Sequence, residues 1–224
     1  MSHEMSDLVA SNGSLYWSEE VPDIRWSMKS DSKIRSYNTE TGKKTPRRVN
    51  FCEGEEGPVY NPSVSEDSRI AGAQYLYKGG SALWIDQSYP APDSLQLVET
   101  AWIGKTVYAT AISYNGFGIY AFDNETWTVV LEPQPVKIAD FKAHGEELMF
   151  TCDRTGVNEL YHLDPVSGDL RQKTVTKYGA KDFAYTEDGK YLYYSAPTIN
   201  GMRVFRTPVD SLVDRKADYT EKYK

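Results

Sequence analysis

The stretch Phe183-Ala-Tyr-Thr-Glu-Asp-Gly-Lys-Tyr-Leu-Tyr-Tyr-Ser-Ala196 constrains the fold of this chain more than any other. It reads as strand, turn, strand. Glu187-Asp188-Gly189 carries the turn chemistry, and the aromatic flanks suit a pleated, half-buried surface. The pattern recurs four times upstream, over 7–18, 61–73, 100–110 and 140–151. Each copy is followed by a third apolar strand that ends in a polar residue: Lys33–Asn38, Ala82–Asp86, Gly118–Asp123, Glu159–Asp164 and Met202–Thr207. Those endings fall at 38, 86, 123, 164 and 207, so the spacings are 48, 37, 41 and 43. A period of ~40–45 residues is that of a four-stranded propeller blade.

The residue types fit that geometry. Asp and Asn bond their own backbone and start the turn into an outer strand, with Thr41-Gly42 and Ser167-Gly168 as flexible turn residues. Outer strands are predicted near Thr45–Phe51, Leu95–Glu99, Thr126–Leu131 and Leu170–Thr176. The expectation is an all-β propeller of about five four-stranded blades over 6–210, with blades at 6–51, 58–99, 100–132, 137–176 and 180–210. Whether the five stand alone or form part of a larger propeller stays open. Residues 1–5 read as a tail or cloning remnant, and no linker marks a second domain. The fifth unit lacks a convincing outer strand. The polar tail 211–224 is predicted to supply it through Tyr219–Tyr223, or else the edge is left for a second copy or further blades to cover.

The hairpins Ser63-Val-Ser-Glu-Asp-Ser-Arg-Ile-Ala71 and Tyr185-Thr-Glu-Asp-Gly-Lys-Tyr-Leu192 resemble the Ser-Pro-Asp-Gly-Lys core of WD40-like repeats. Such repeats build TolB-type propellers and the propeller domains of prolyl-oligopeptidase-family peptidases. The resemblance covers roughly residues 6–210. Ser68 stands where the motif has Gly, the third copy has only Ile103-Gly-Lys105, and no Trp-Asp dipeptide occurs. The turn is structural and carries no chemistry. Resemblance alone implies a bacterial cell-envelope or periplasmic scaffold that binds other proteins.

Composition excludes several classes. A net charge of −7 over 224 residues argues against nucleic-acid binding. The basic cluster Lys43, Lys44, Arg47 and Arg48 reads as a charged edge that discourages edge-to-edge pairing. Cys52 and Cys152 are read as unpaired thiols, and no Cys/His spacing points to zinc. No apolar run reaches the ~20 residues of a membrane span, and the start has no signal-peptide apolar region. No Gly-x-Ser-x-Gly elbow is present, and Gly104-Lys-Thr106 lacks the upstream glycine of a phosphate loop. His144 and His162 read as packing or surface residues. Phe122-Asp-Asn-Glu-Thr-Trp127 only partly matches a sialidase Asp box and reads as a turn. Asp86, Asp123 and Asp164 recur once per unit, which turn chemistry explains better than a glycosidase pair does. Glu53, Glu55 and Glu56 lack the alternating ligands of a calcium loop.

Function on a rigid scaffold lives in irregular loops. The insertion Glu19–Asp31 carries Arg25, Trp26 and Met28, types enriched at interfaces, and Asp86–Asp93 is Pro-rich around Tyr89. Tyr60 and Tyr114 complete the candidate partner-binding set. The expectation is a non-enzymatic scaffold that binds a protein through its blade loops, with no cofactor, metal or nucleic acid. The alternatives are a propeller glycosidase or carbohydrate-binding protein, or the propeller portion of a peptidase.

Overall fold

The computed structural model describes residues 6, 8–22, 25, 30–47 and 57–217. Every sheet is a small antiparallel meander. Blade one holds β1 (Val9–Ser11), β2 (Ser14–Pro22), β3 (Ser30–Asn38) and β4 (Lys44–Arg47). Blade two holds β5 (Val59–Val64), β6 (Ile70–Tyr75), β7 (Ser81–Trp84) and β8 (Ser88–Pro90). Blade three holds β9 (Gln96–Ile103), β10 (Thr106–Ser113), β11 (Gly116–Asp123) and β12 (Thr126–Gln134). Blade four holds β13 (Ile138–His144), β14 (Glu147–Cys152), β15 (Glu159–Leu163) and β16 (Leu170–Gln172), with β20 (Arg215–Lys216) added at its edge. Blade five has β17 (Lys181–Tyr185), β18 (Tyr191–Thr198) and β19 (Gly201–Pro208). Among the described residues, helix is confined to the 3-10 turn Val209–Ser211. The five-bladed all-β propeller expected from the repeat is the observed fold.

The chain divides into two compact units, Met1–Pro133 with blades one to three and Gln134–Lys224 with blades four and five. In the first, Tyr16 and Ile34 pack on Val59 and Ile70 between blades one and two. Leu83, Leu97, Trp102, Tyr120 and Phe122 fill the space between blades two and three. In the second, Met149 and Leu160 of blade four meet Phe183 and Leu192 of blade five. Middle strands such as β6 and β15 are buried on both faces, because each sheet is sandwiched between neighbours.

Two local devices repeat. The first is the A–B turn. Ser65 donates to Asp67 and accepts from the Arg69 N–H at 2.9 Å, while Thr186 donates to Asp188 at 2.7 Å and accepts from the Tyr191 N–H at 3.1 Å. The left-handed site is Gly189 in blade five (φ 67°) but Ser68 in blade two (φ 65°), where a side chain bears the steric cost. The second device is a bulge in the inner strand, where Asn61, Asp140 and Asp182 adopt φ of 50°, 53° and 56°. Asn61 Nδ2 donates to the Val98 carbonyl of the next blade at 2.9 Å. Asp140 Oδ2 accepts from the Asp182 N–H of the next blade at 3.3 Å.

Two strand positions differ from expectation. Leu95–Glu99 does not form the outer strand of blade two; residues 96–103 make one continuous inner strand of blade three, and the outer strand is the three-residue β8. Pairing with β10 captures the whole segment across a bulge at Val98, with Leu97 opposite Ala111 and Glu99 opposite Thr110. The described part of the tail pairs elsewhere: Arg215 and Lys216 pair with Gln172 and Arg171 of blade four. Asp214 explains the choice, accepting from Arg171 Nη1 at 2.8 Å and from Lys173 Nζ at 2.7 Å. Tyr219–Tyr223 lies outside the described residues.

Candidate functional site

The irregular turns of blades two and three converge on a cavity of about 250 Å³. Arg69 comes from the β5–β6 turn, Lys105 from the β9–β10 turn, and Asn124 and Glu125 from the β11–β12 turn. Because A–B and C–D hairpins end on the same side of a blade, these turns share one rim. The walls are Tyr89, Trp102 and Phe122. Tyr89 packs on Phe122 at a tilt of 53° with centroids 4.9 Å apart, and Phe122 in turn on Trp127 at 52° and 4.9 Å. Trp127 is pinned by its Nε1–H to the Pro90 carbonyl at 3.0 Å. The aromatic row is thereby anchored at one end to the backbone of blade two.

Charge is distributed unevenly over these walls. The Arg69 guanidinium sits 5.1 Å from the Trp102 ring centroid, a cation–π contact. Among the described residues neither Arg69 nor Lys105 joins an ion pair closer than 4.0 Å. Trp102 is 8% exposed, and its indole N–H is buried without a hydrogen-bond partner. Leaving such a donor unmet costs about 1–3 kcal/mol. Asn124 and Glu125 both have positive φ (46° and 59°), so the rim turn is held in a conformation that a glutamate disfavours. Asp123 accepts from the Asn124 side-chain amide at 3.1 Å. The arrangement offers recognition: apolar walls, two cations for an anion, and the carboxylates Asp123 and Glu125 on the same lining.

A second cluster lies in the other unit. His162, 4% exposed, has both ring nitrogens engaged, Nδ1 with Glu147 Oε2 at 2.8 Å and Nε2 with the Tyr185 hydroxyl at 3.1 Å. A neutral ring satisfies both, with Nδ1–H donating to the carboxylate and Nε2 accepting from the phenol. His144 stacks on Tyr185 at 4.2 Å. Burial lowers the pKa of His162 and outweighs the pull of Glu147; burial also lowers that of His144. Burial pushes Tyr185 up to about 12. The phenol keeps its proton, so this network packs blade four on blade five and presents no activated nucleophile. Cys152 is buried, free, and pushed by burial up to about 11, which leaves it a thiol.

Four of the sequence-predicted residues, Arg25, Tyr60, Tyr89 and Tyr114, fall among the described residues. Tyr89 lines the cavity. Tyr60 packs against Tyr75 in a tilted pair at 5.4 Å, outside the cavity lining. Tyr114 is fully exposed on the β10–β11 turn. Arg25 is exposed between β2 and β3; the expected insertion 19–31 is shorter than predicted, because Glu19–Pro22 pairs with Ser30–Lys33 as a continuation of the two strands. Trp26, Met28, Cys52 and the acidic run Glu53, Glu55 and Glu56 lie outside the described residues. Arg69, Trp102 and Lys105 went unnoticed, since each sits inside a regular repeat. The signal was that the third copy alone places a tryptophan in its inner strand.

No family model and no curated protein matches the sequence. Solved structures do. A TolB of Acinetobacter baumannii superposes with TM-score 0.63 at 15% identity, covering 83% of this chain and 48% of that one. A second TolB-like structure from Agrobacterium tumefaciens superposes at 0.69 and 14% identity, covering 96% and 80%. The chain has the TolB-type propeller fold. A puromycin hydrolase, solved as a mutant complexed with PGG, gives 0.63 at 12% identity over 96% of this chain and 37% of that one. This chain thus spans about half of the Acinetobacter protein and little more than a third of the hydrolase. At such identities the TolB-type likeness concerns the fold.

Proposed function

We propose that this TolB-type propeller is a non-enzymatic scaffold that docks a protein partner on the turn face of blades two and three. The observation that carries the reading is the cavity itself, with packed aromatic walls and two cations, Arg69 and Lys105, that form no ion pair among the described residues. Aromatic and arginine anchors around a small pocket are the composition of interface hot spots. The chemistry fits an aromatic or aliphatic side chain flanked by a carboxylate. Selecting a random-peptide phage library on the protein, with parallel selection on R69E/K105E, tests it. The expected result is a motif pairing a bulky apolar residue with an acid, enriched on the native chain and lost on the variant. Equal enrichment on both, or none on either, overturns the reading.

A second reading, the propeller portion of a peptidase, is supported by the likeness to the hydrolase structure. Under it, the same face would screen substrates for a catalytic domain and binding would favour short peptides over folded proteins.

A further inference from the structure

Four blades carry a fourth strand on the outer side of their third strand; blade five, among the described residues, does not. Its third strand β19 is eight residues long, and its outer backbone edge has no strand partner. It is also apolar where it should be masked: Val204 is 71% exposed, Met202 51% and Phe205 39%. A long, exposed, apolar edge strand is a template for pairing unless something covers it.

We infer that the outer edge of β19 is a docking edge for an extended, acidic segment of a partner protein, which adds as the fourth strand of blade five. The register of β18 against β19 sorts the side chains by face. Phe205 and Arg203 lie opposite Tyr194 and Ala196, on the face packed toward blade four; Val204 and Arg206 lie opposite Ser195 and Tyr193, on the other. An incoming strand that pairs across from residues 203 to 206 meets a cation, two apolar residues and a cation. Its complement is acid, apolar, apolar, acid, with the apolar pair split between the faces. Neither Arg203 nor Arg206 joins an ion pair among the described residues; Arg206 lies over the Tyr191 ring at 4.5 Å. An open groove of about 460 Å³ lies on that face, lined by Tyr191, Tyr193 and Arg206 and, from the β17–β18 turn, by Thr186, Glu187 and Asp188; Asp188 is held by Lys190 Nζ at 3.2 Å.

Blade four shows how this protein holds such a strand. There β20 is captured on β16 by backbone pairing and by Asp214 between Arg171 and Lys173. The β19 edge offers a comparable pair of cations, Arg203 and Arg206, neither of which has an ion-pair partner among the described residues. Strand addition draws affinity from the backbone and specificity from alternate side chains. The docking edge is independent of the cavity on blades two and three, and the residues tested are different.

The experiment is fluorescence anisotropy of the full chain with a labelled peptide, Thr-Glu-Val-Ile-Glu-Thr, capped at both ends. Saturable binding is expected, weakened at least about tenfold by R203E/R206E and restored in that variant by the peptide with Lys for both Glu. Unchanged melting of the variant shows that the edge and not the fold was altered. No saturable binding, or equal binding of the Glu peptide to both proteins, overturns the proposal. A dimer seen by light scattering that the peptide dissolves identifies a second copy as the occupant, and overturns it too.

Discussion

Blades three and five place similar residues at the same point of the repeat and treat them oppositely. In blade three, Ile119, Tyr120, Ala121 and Phe122 of β11 are all buried, held between β10 and β12. In blade five, Met202, Val204 and Phe205 of β19 are exposed. Both runs are apolar enough for a core. The difference lies in neighbours, since among the described residues β11 has a strand on each side and β19 on one only. Burial is a property of the assembly of sheets, and a single strand's composition does not decide it.

The sharpest way to break this comparison is a pair of truncations. Ile119→Ala should cost about 3–4 kcal/mol in urea unfolding, as expected for a fully buried residue with little room to collapse. Val204→Ala should stay within about 0.5 kcal/mol. A cost above ~1.5 kcal/mol at Val204 would mean that the β19 edge is covered in solution.

A smaller effect separates Asp140 from Asp182. Both occupy the bulge at positive φ, so replacement by Ala carries the same conformational cost at each. Only Asp140 accepts from Thr151 and from the next blade, at 3.3 Å each; Asp182 makes a loose 3.7 Å pair with Lys181. Asp140→Ala should therefore be the more destabilising by about 1 kcal/mol. Equal losses in thermal melts would show that the inter-blade bond contributes nothing.

The smallest effect is a pH slope confined to one unit. Blade three has no histidine, whereas His162 of blade four bonds Tyr185 of blade five. The folded pKa values of His162 and His144 lie below 6.5, so the unfolded chain binds more protons below that pH. Stability is present above pH 6.5 and is lost as pH falls toward the folded values. Around the rings stand Glu147, which favours the charged form, and Lys173, which opposes it. The carboxylates held low by turn hydrogen bonds, Asp164 and Asp188, act only below their ordinary 3.8, a separate window. The urea midpoint should drop from pH 7 to pH 5, and less so in His162→Gln. An unchanged slope in that variant would assign the effect to other groups.

The repeat was legible because its turns are local chemistry. Asn38 accepts from the Thr41 N–H at 2.7 Å and Asp164 from the Val166 N–H at 2.8 Å, as the polar strand endings predict. At Asp123 the same logic fails. The β11–β12 loop is only two residues, Asn124-Glu125, and leaves no room for an Asx turn. What lay beyond reach was pairing across sequence. The cavity needs Arg69 beside Trp102 and Tyr89 beside Phe122, each more than thirty residues apart. The attachment of β20 depends on Asp214 meeting Arg171 and Lys173 more than forty residues upstream. No periodicity encodes such meetings.

That attachment has a mechanical consequence. Residues 173–214, which contain all of blade five, form a loop whose two ends are clasped together on blade four by the Val213–Lys173 and Ala217–Leu170 backbone bonds and by Asp214. Tension applied to the chain beyond Ala217 is borne by this clasp and passes straight into β16. Blade five sits in the slack. It carries no load until the clasp ruptures, so under force it is the clasp, and not the three-stranded sheet behind it, that sets the first yield point of this unit.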